Sequence, residues 1–360
     1  MTEPGPATHH RSIGVRCGIA LHTTFHERRR EEIMTSDPRR LFRRRPLLIG
    51  AGAAALSMPS IVRAAAGKHV SYLTPGLDLP FWRTLANGID SVARAHGGSS
   101  TVYDSHNNAQ TQIQNAQDAI ARKTDGILIS PTDSSTCPSV LALAKKAGIP
   151  AVIADIGTDS GEYLSFIISN NYEGAYGTGK VLAKVMTDKG WNKGTVGLVT
   201  ISLARLNGQA RTKGFMKAMT EAGIKQGALS QMQTYTSDET FKFVQDMLTA
   251  HPEMRGLFVE TDQPTLGALR ALHSARREND VAVAAFDGIP EFVPLIQSGR
   301  LVAVGMQQPF LMGEHSAEAM FTYFAGKTPP KHDLVPIMVV TPDNIGTLLP
   351  AIKKNVFGTA

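Results

Sequence analysis

From residue 68 onward the chain alternates short runs of β-branched and other apolar residues with windows whose apolar positions recur every three or four residues. This rhythm restricts the fold more than any other feature. It predicts strands over 69–73, 101–103, 126–130 and 151–154, with helices over 81–96, 109–123 and 139–147 between them. Residues Leu85, Ile89 and Val92 fall on one face of the first helix, and Ile113, Ala116 and Ile120 on one face of the second. The pattern restarts after Ser169. A helix over 172–189 precedes strands over 195–200, 230–235, 256–259, 281–286 and 302–306. Helices over 208–222, 240–250, 264–275 and 290–298 are interleaved with them. A helix over 312–324 and a last strand near 335–340 follow. Strand–helix alternation of this kind implies parallel sheets covered by helices on both faces. Two half-chains of one type imply two similar doubly wound α/β lobes, and with no low-complexity linker between them the lobes should be joined by several short crossings.

In open α/β sheets ligands bind beyond the carboxyl ends of the strands. Polar and aromatic residues collect there: Pro75 to Trp82, Ser130 to Asp133 and Asp155-Ile156 in the first half, and Leu203 to Arg211, Tyr235, Thr261-Asp262, Asp287-Gly288 and Gln307-Gln308 in the second. Carboxylates accept two hydroxyl hydrogen bonds, an arginine donates in a fixed fork, and aromatic faces pack on the C–H face of a ring. Singly, Asp287 reads equally as a turn residue before Gly288 and Trp82 as core. Jointly, the set suits a polyhydroxylated ligand.

These residues carry a family resemblance. Pro80-Phe81-Trp82, Asp104 to Asn108, Ser130 to Asp133, Leu248 to Pro252, Leu266 to Leu272 and Phe286-Asp287-Gly288 make residues 68–341 resemble the periplasmic sugar-binding proteins of ABC importers, the ribose-binding group in particular. The resemblance implies the type I fold, with lobes of residues 67–169 plus 308–336 and 170–307 plus 337–360. It implies a monomer without cofactor or metal, holding a small sugar or polyol and docking on an inner-membrane permease. The ligand-binding positions it implies are Phe81, Trp82, Ser130, Asp155 and Ile156 from the first lobe, Arg211, Tyr235, Thr261 and Asp287 from the second, and Gln307 at a crossing. Two of them depart from the ribose pattern, which has Arg where this chain has Ile156 and Asn where it has Thr261. If Ile156 faces the ligand, ribose fits poorly, and the ligand presents a C–H, a methyl or nothing there.

The amino-terminal stretch carries a decoy. Gly50-Ala51-Gly52-Ala53-Ala54-Ala55 fits a dinucleotide-binding loop, but no carboxylate stands about 20 residues on. Arg39-Arg40-Leu41-Phe42 and the arginines after it, an apolar run over 46–56 and Ala64-Ala65-Ala66 instead make an export leader. The Arg-Arg-x-Phe core resembles a twin-arginine signal, with Pro38 where Ser or Thr is usual. Residues 34–66 are therefore expected to form a leader starting at Met34 and cleaved near Ala66, which places the mature protein in the periplasm. Residues 1–33 are expected to be a mis-assigned extension.

Residues 1–66 hold 11 Arg and five acidic residues, against 37 basic and 31 acidic in the whole chain, so the remainder carries 26 of each sign. The net charge of +6 belongs to the removable end, and a nucleic-acid partner loses its footing. The mature part holds one cysteine, Cys137, and so no internal disulfide. Asp159-Ser160-Gly161 lacks a placeable histidine partner, and no phosphate loop or metal-ligand spacing occurs, so no enzyme is expected. A sugar-responsive transcription regulator shares the two-lobed fold, but it would need an N-terminal helix-turn-helix in place of the Arg- and Ala-rich segment.

Overall fold

The computed structural model describes residues 67–359; the expected leader and the stretch before it lie outside the described residues. The first sheet contains β1 (His69–Thr74), β2 (Ser99–Asp104), β3 (Gly126–Ile129), β4 (Ala151–Ala154), β5 (Ser165–Ser169) and β11 (His332–Val335), in the order β11-β5-β4-β3-β1-β2. The second contains β6 (Thr195–Thr200), β7 (Lys225–Gln231), β8 (Met254–Val259), β9 (Ala282–Phe286), β10 (Ala303–Met306) and β12 (Met338–Val340), in the order β12-β10-β9-β8-β6-β7. All pairings are parallel except β10 with β12. Central strands such as β3, β4 and β9 are buried at every position, as a sheet covered on both faces requires.

The helices are α1 (Pro80–Ala95), α2 (Ala109–Ala121), α3 (Cys137–Lys146), α4 (Asn171–Asp188), α5 (Leu206–Glu221), α6 (Ser237–Ala250), α7 (Gln263–Ser274), α8 (Phe292–Gln297), α9 (Pro309–Phe324) and α10 (Ile345–Ala351), followed by a π-helical turn at Ile352–Val356. Several start where their sequence says they should. Pro80 opens α1 with the φ a first turn needs, and Asn108 caps α2 by accepting from Thr111 N. Helices α1 and α9 meet at two glycines. A Cβ at Gly88 would collide with the Phe310 carbonyl, and one at Gly313 with the Leu85 carbonyl.

The chain passes between the sheets three times: from β5 into α4, from β10 into α9, and from β11 into β12. Gln308 at the second crossing ties the third by donating to Pro336 O at 2.8 Å, and it accepts from Asn355 of the carboxyl-terminal segment at 2.7 Å. That segment packs α10 on α8 of the second lobe and its π-helical turn on α9 of the first, so residues 345–356 lean on both lobes.

Two expectations change, and two elements were not foreseen. The strand placed at 230–235 lies earlier, at Lys225–Gln231; it is a half-exposed edge strand with little apolar alternation to mark it. The last strand is two, β11 and β12, split by Pro336 and paired in different sheets. Strand β5 and helix α10 carried too little periodicity to be recognised.

Candidate functional site

Asp155 and Asp287 follow equivalent strands, β4 and β9. Both leave their sheet in the left-handed region, at φ +64° and +61°, where a non-glycine residue is uncommon. Each backbone N–H still bonds to the neighbouring strand, Asp155 N to Ile167 O and Asp287 N to Gly305 O, both at 2.9 Å. At Asp155 the turn is tight enough for Ile156 N to donate to Ala154 O at 2.8 Å, a γ-turn. These turns put both carboxylates at the strand ends, where the two sheets face one another. Backbone held in a sparsely populated region is a recurrent mark of functional sites.

Between these ends lies a small cavity. It is lined by Leu79, Phe81, Trp82 and Asp155 of the first lobe, by Ile201, Arg205, Asn207, Arg211, Tyr235, Thr261 and Asp287 of the second, and by Gln307 at a crossing. Eight of the ten expected site residues are thus brought together.

The aromatic wall is built from both lobes. Phe81 and Trp82 occupy the first turn of α1 and pack edge to face with centroids 4.8 Å apart. Tyr235 sits in the loop before α6 at φ +57°. Thr236 caps α6 there, and Glu239 in its first turn ties down the preceding loop. Thr236 accepts from Glu239 N, and the Glu239 carboxylate accepts from the backbone N–H groups of Gln233, Thr234 and Tyr235 at 2.8–2.9 Å. The Tyr235 hydroxyl accepts from Ser202 N at 3.1 Å, so the ring is fixed at both ends.

Arg211 organises the second lobe. Its Nε donates to Asn171 Oδ1 at 2.8 Å, and its Nη1 donates to Glu260 O at 2.7 Å and Asp287 Oδ2 at 3.2 Å. Its guanidinium lies 4.2 Å from the Phe286 ring centroid. Gln307 Nε2 donates to the other Asp287 oxygen at 2.9 Å. Asp155 is held differently. Its Oδ2 accepts from Asn207 Nδ2, across the cleft, at 2.9 Å. Its Oδ1 has no partner among the described residues, and neither does Gln307 Oε1. Burial pushes the Asp155 pKa up to about 6 against the attraction of Arg211. Burial likewise raises Glu260, behind Arg211, to about 8, and burial with the Asp287 charge raises Asp262 to about 7.

Two expected residues lie elsewhere. Ser130 is buried in the first lobe, its hydroxyl 3.0 Å from that of Tyr72, and does not line the cavity. Ile156 is fully buried in the hydrophobic core, because the γ-turn that aims Asp155 at the cleft sends the next side chain inward. The expectation that an apolar corner at Ile156 disfavours ribose is therefore withdrawn. Four lining residues were not singled out from sequence: Leu79, Ile201, Arg205 and Asn207. Asn207 had a signal, since it precedes Arg211 by four residues and shares its helix face. Arg205 had only its place in the strand-end stretch 203–211, because it stands just outside α5 and its helical pattern.

Two doubly wound lobes with a buried polar cavity between their strand ends define a two-lobed ligand-binding protein. The chain matches the periplasmic binding protein domain family over residues 70–328. The ribose import binding protein of Escherichia coli is 33% identical over 267 residues, which cover 74% of this chain and 88% of that one. The D-apiose import binding protein of Paraburkholderia graminis is 28% identical over 288 residues, covering 79% and 91%. A carbohydrate transporter solute-binding protein from Agrobacterium radiobacter, solved in complex with D-arabinose, shares the fold with a TM-score of 0.74 at 20% identity, covering 81% of this chain and 100% of that one. The chain belongs to the periplasmic binding protein family, in its ribose-binding-like type I group. It is a solute-binding protein of the import class rather than a transcription regulator on the same fold.

Proposed function

We propose that the protein captures a small sugar or polyol in the cavity between its lobes and delivers it to an ABC permease in the inner membrane. In this account Phe81, Trp82 and Tyr235 pack on the ring, Asp155, Asp287 and Gln307 accept from hydroxyls, and Arg211 donates. It is a carrier without enzymatic activity, it acts as a monomer, and residues 34–66 export it through the twin-arginine route before cleavage near Ala66. The open form exposes both walls, and the closed form makes both sets of contacts, so ligand favours closure.

The observation that carries this reading is the pair of buried acceptors, Asp155 Oδ1 and Gln307 Oε1, unpartnered among the described residues and belonging to two cavity-lining side chains. Leaving such an atom unpaired costs roughly 1–3 kcal/mol. A polyol hydroxyl donates to each while its lone pairs take the guanidinium donors. The names of the relatives support the ligand class, since they are import binding proteins for ribose and D-apiose.

A thermal-shift screen of residues 67–360 against pentoses, hexoses, deoxysugars and polyols tests it. A ligand at 100 times its dissociation constant adds about 2.7 kcal/mol, so one class should raise the melting temperature by several degrees. No shift with any sugar or polyol would refute the reading.

A further inference from the structure

The residues that open α5 join the two lobes directly. Ser134 N donates to Ala204 O at 3.2 Å, and Leu206 N donates to Ser134 Oγ at 3.1 Å. Arg205 reaches furthest. Its Nε donates to Thr132 O at 2.8 Å and its Nη2 to Asn107 Oδ1 at 3.1 Å, both in the first lobe. The guanidinium lies 5.1 Å from the Tyr235 ring centroid in its own lobe. The residue is only 4% exposed, yet it lines the cavity.

Both acceptors that hold Arg205 are uncharged, and no carboxylate makes an ion pair with it among the described residues. Asp155 acts on it through space only. Its Nη1 makes no hydrogen bond among the described residues. A buried guanidinium keeps its full charge, and a charge-assisted hydrogen bond from it is about twice as strong as a neutral one. The planar group is locked by two bonds on one edge and an aromatic face beside it, so its free donor has a fixed direction.

We propose that Arg205 is a specificity-determining residue of the cavity: held by Thr132 and Asn107 of one lobe while anchored in the other, it donates through Nη1 to an acceptor oxygen of the bound sugar. This rests on the sugar-binding reading and adds to it that selection of the ligand and closure of the lobes run through one side chain. A purely mechanical latch would strengthen binding of every ligand alike. A donor to one ligand oxygen discriminates between sugars that present that oxygen and sugars that do not.

The test is calorimetry on unmodified protein, Arg205→Ala, Arg205→Lys and Asn107→Ala with D-ribose, D-arabinose, D-allose and 2-deoxy-D-ribose. Asn107 does not line the cavity, so Asn107→Ala loosens the bridge alone and should weaken all bound sugars by a common factor. Arg205→Ala should weaken the tightest sugar ten- to a hundred-fold and reorder the series. Arg205→Lys keeps the charge and loses the fork, and it should fall between the two. A uniform loss across the series for Arg205→Ala, or no loss, would overturn the proposal while leaving the sugar reading in place. Failure of the unmodified protein to bind any of the four would overturn this assignment, whereas the ligand class on which it rests falls only if the wider screen of sugars and polyols also shows no binding.

Discussion

The two lobes repeat one architecture and end equivalent strands in an aspartate at positive φ, yet they treat that aspartate in opposite ways. Asp287 has both oxygens engaged within or beside its own lobe, by Arg211 and Gln307. Among the described residues Asp155 has no cation within bonding distance. Its one side-chain bond there comes from Asn207 across the cleft, its second oxygen is unpartnered, and its pKa is pushed up to about 6. The difference separates two roles that a symmetrical fold could have merged. The second lobe carries a preassembled polar network. The first lobe carries an acceptor that is completed only from outside, by the other lobe and by ligand.

The largest effect that can break this comparison is on folding. Asp287→Ala leaves Arg211 as a buried charge without its carboxylate, a loss of about 3–5 kcal/mol, whereas Asp155→Asn removes a poorly compensated charge. Denaturant unfolding should show a much lower midpoint for Asp287→Ala and an unchanged or higher one for Asp155→Asn. Equal destabilisation by both would erase the distinction.

A smaller effect follows from pH. The folded pKa of Asp155 lies above the carboxylate's ordinary value of 3.8, so the folded state binds its proton more tightly than the unfolded chain does. The stability this gives is full below about pH 4 and is lost as pH rises to about 6, by roughly 3 kcal/mol in all. Glu260 and Asp262 act in the same direction up to about pH 8 and 7. Melting temperature should therefore rise on acidification from pH 8 toward 5, and Asp155→Asn should flatten the part of that rise below pH 6. A profile for Asp155→Asn identical to that of the unmodified protein would show that Asp155 is not the buried acid.

Much of this was legible in the sequence, for reasons that also mark where legibility stops. The central strands announce themselves because burial on both faces demands continuous apolar runs, and the strand-end rule then picks out Asp155, Arg211, Tyr235, Asp287 and Gln307. Edge strand β7 is half solvated and has no such run. Ile156 was misjudged because the resemblance carried a ligand-binding position onto it, whereas here the side chain is fully buried beside the turn at Asp155 and is not among the residues that line the cavity. Arg205 was passed over because its partners, Thr132 and Asn107, lie 73 and 98 residues away, a proximity created only when the lobes meet.

The central claim is that the cleft holds a sugar and that Asp155 is the acceptor it completes. Isothermal titration at pH 7.5 of the unmodified protein and of Asp155→Asn, with the strongest sugar from the thermal screen, addresses it directly. The account predicts saturable one-site binding by the unmodified protein and binding about ten- to a hundred-fold weaker for the variant, the equivalent of one charged hydrogen bond. Equal affinity for the two proteins would contradict it.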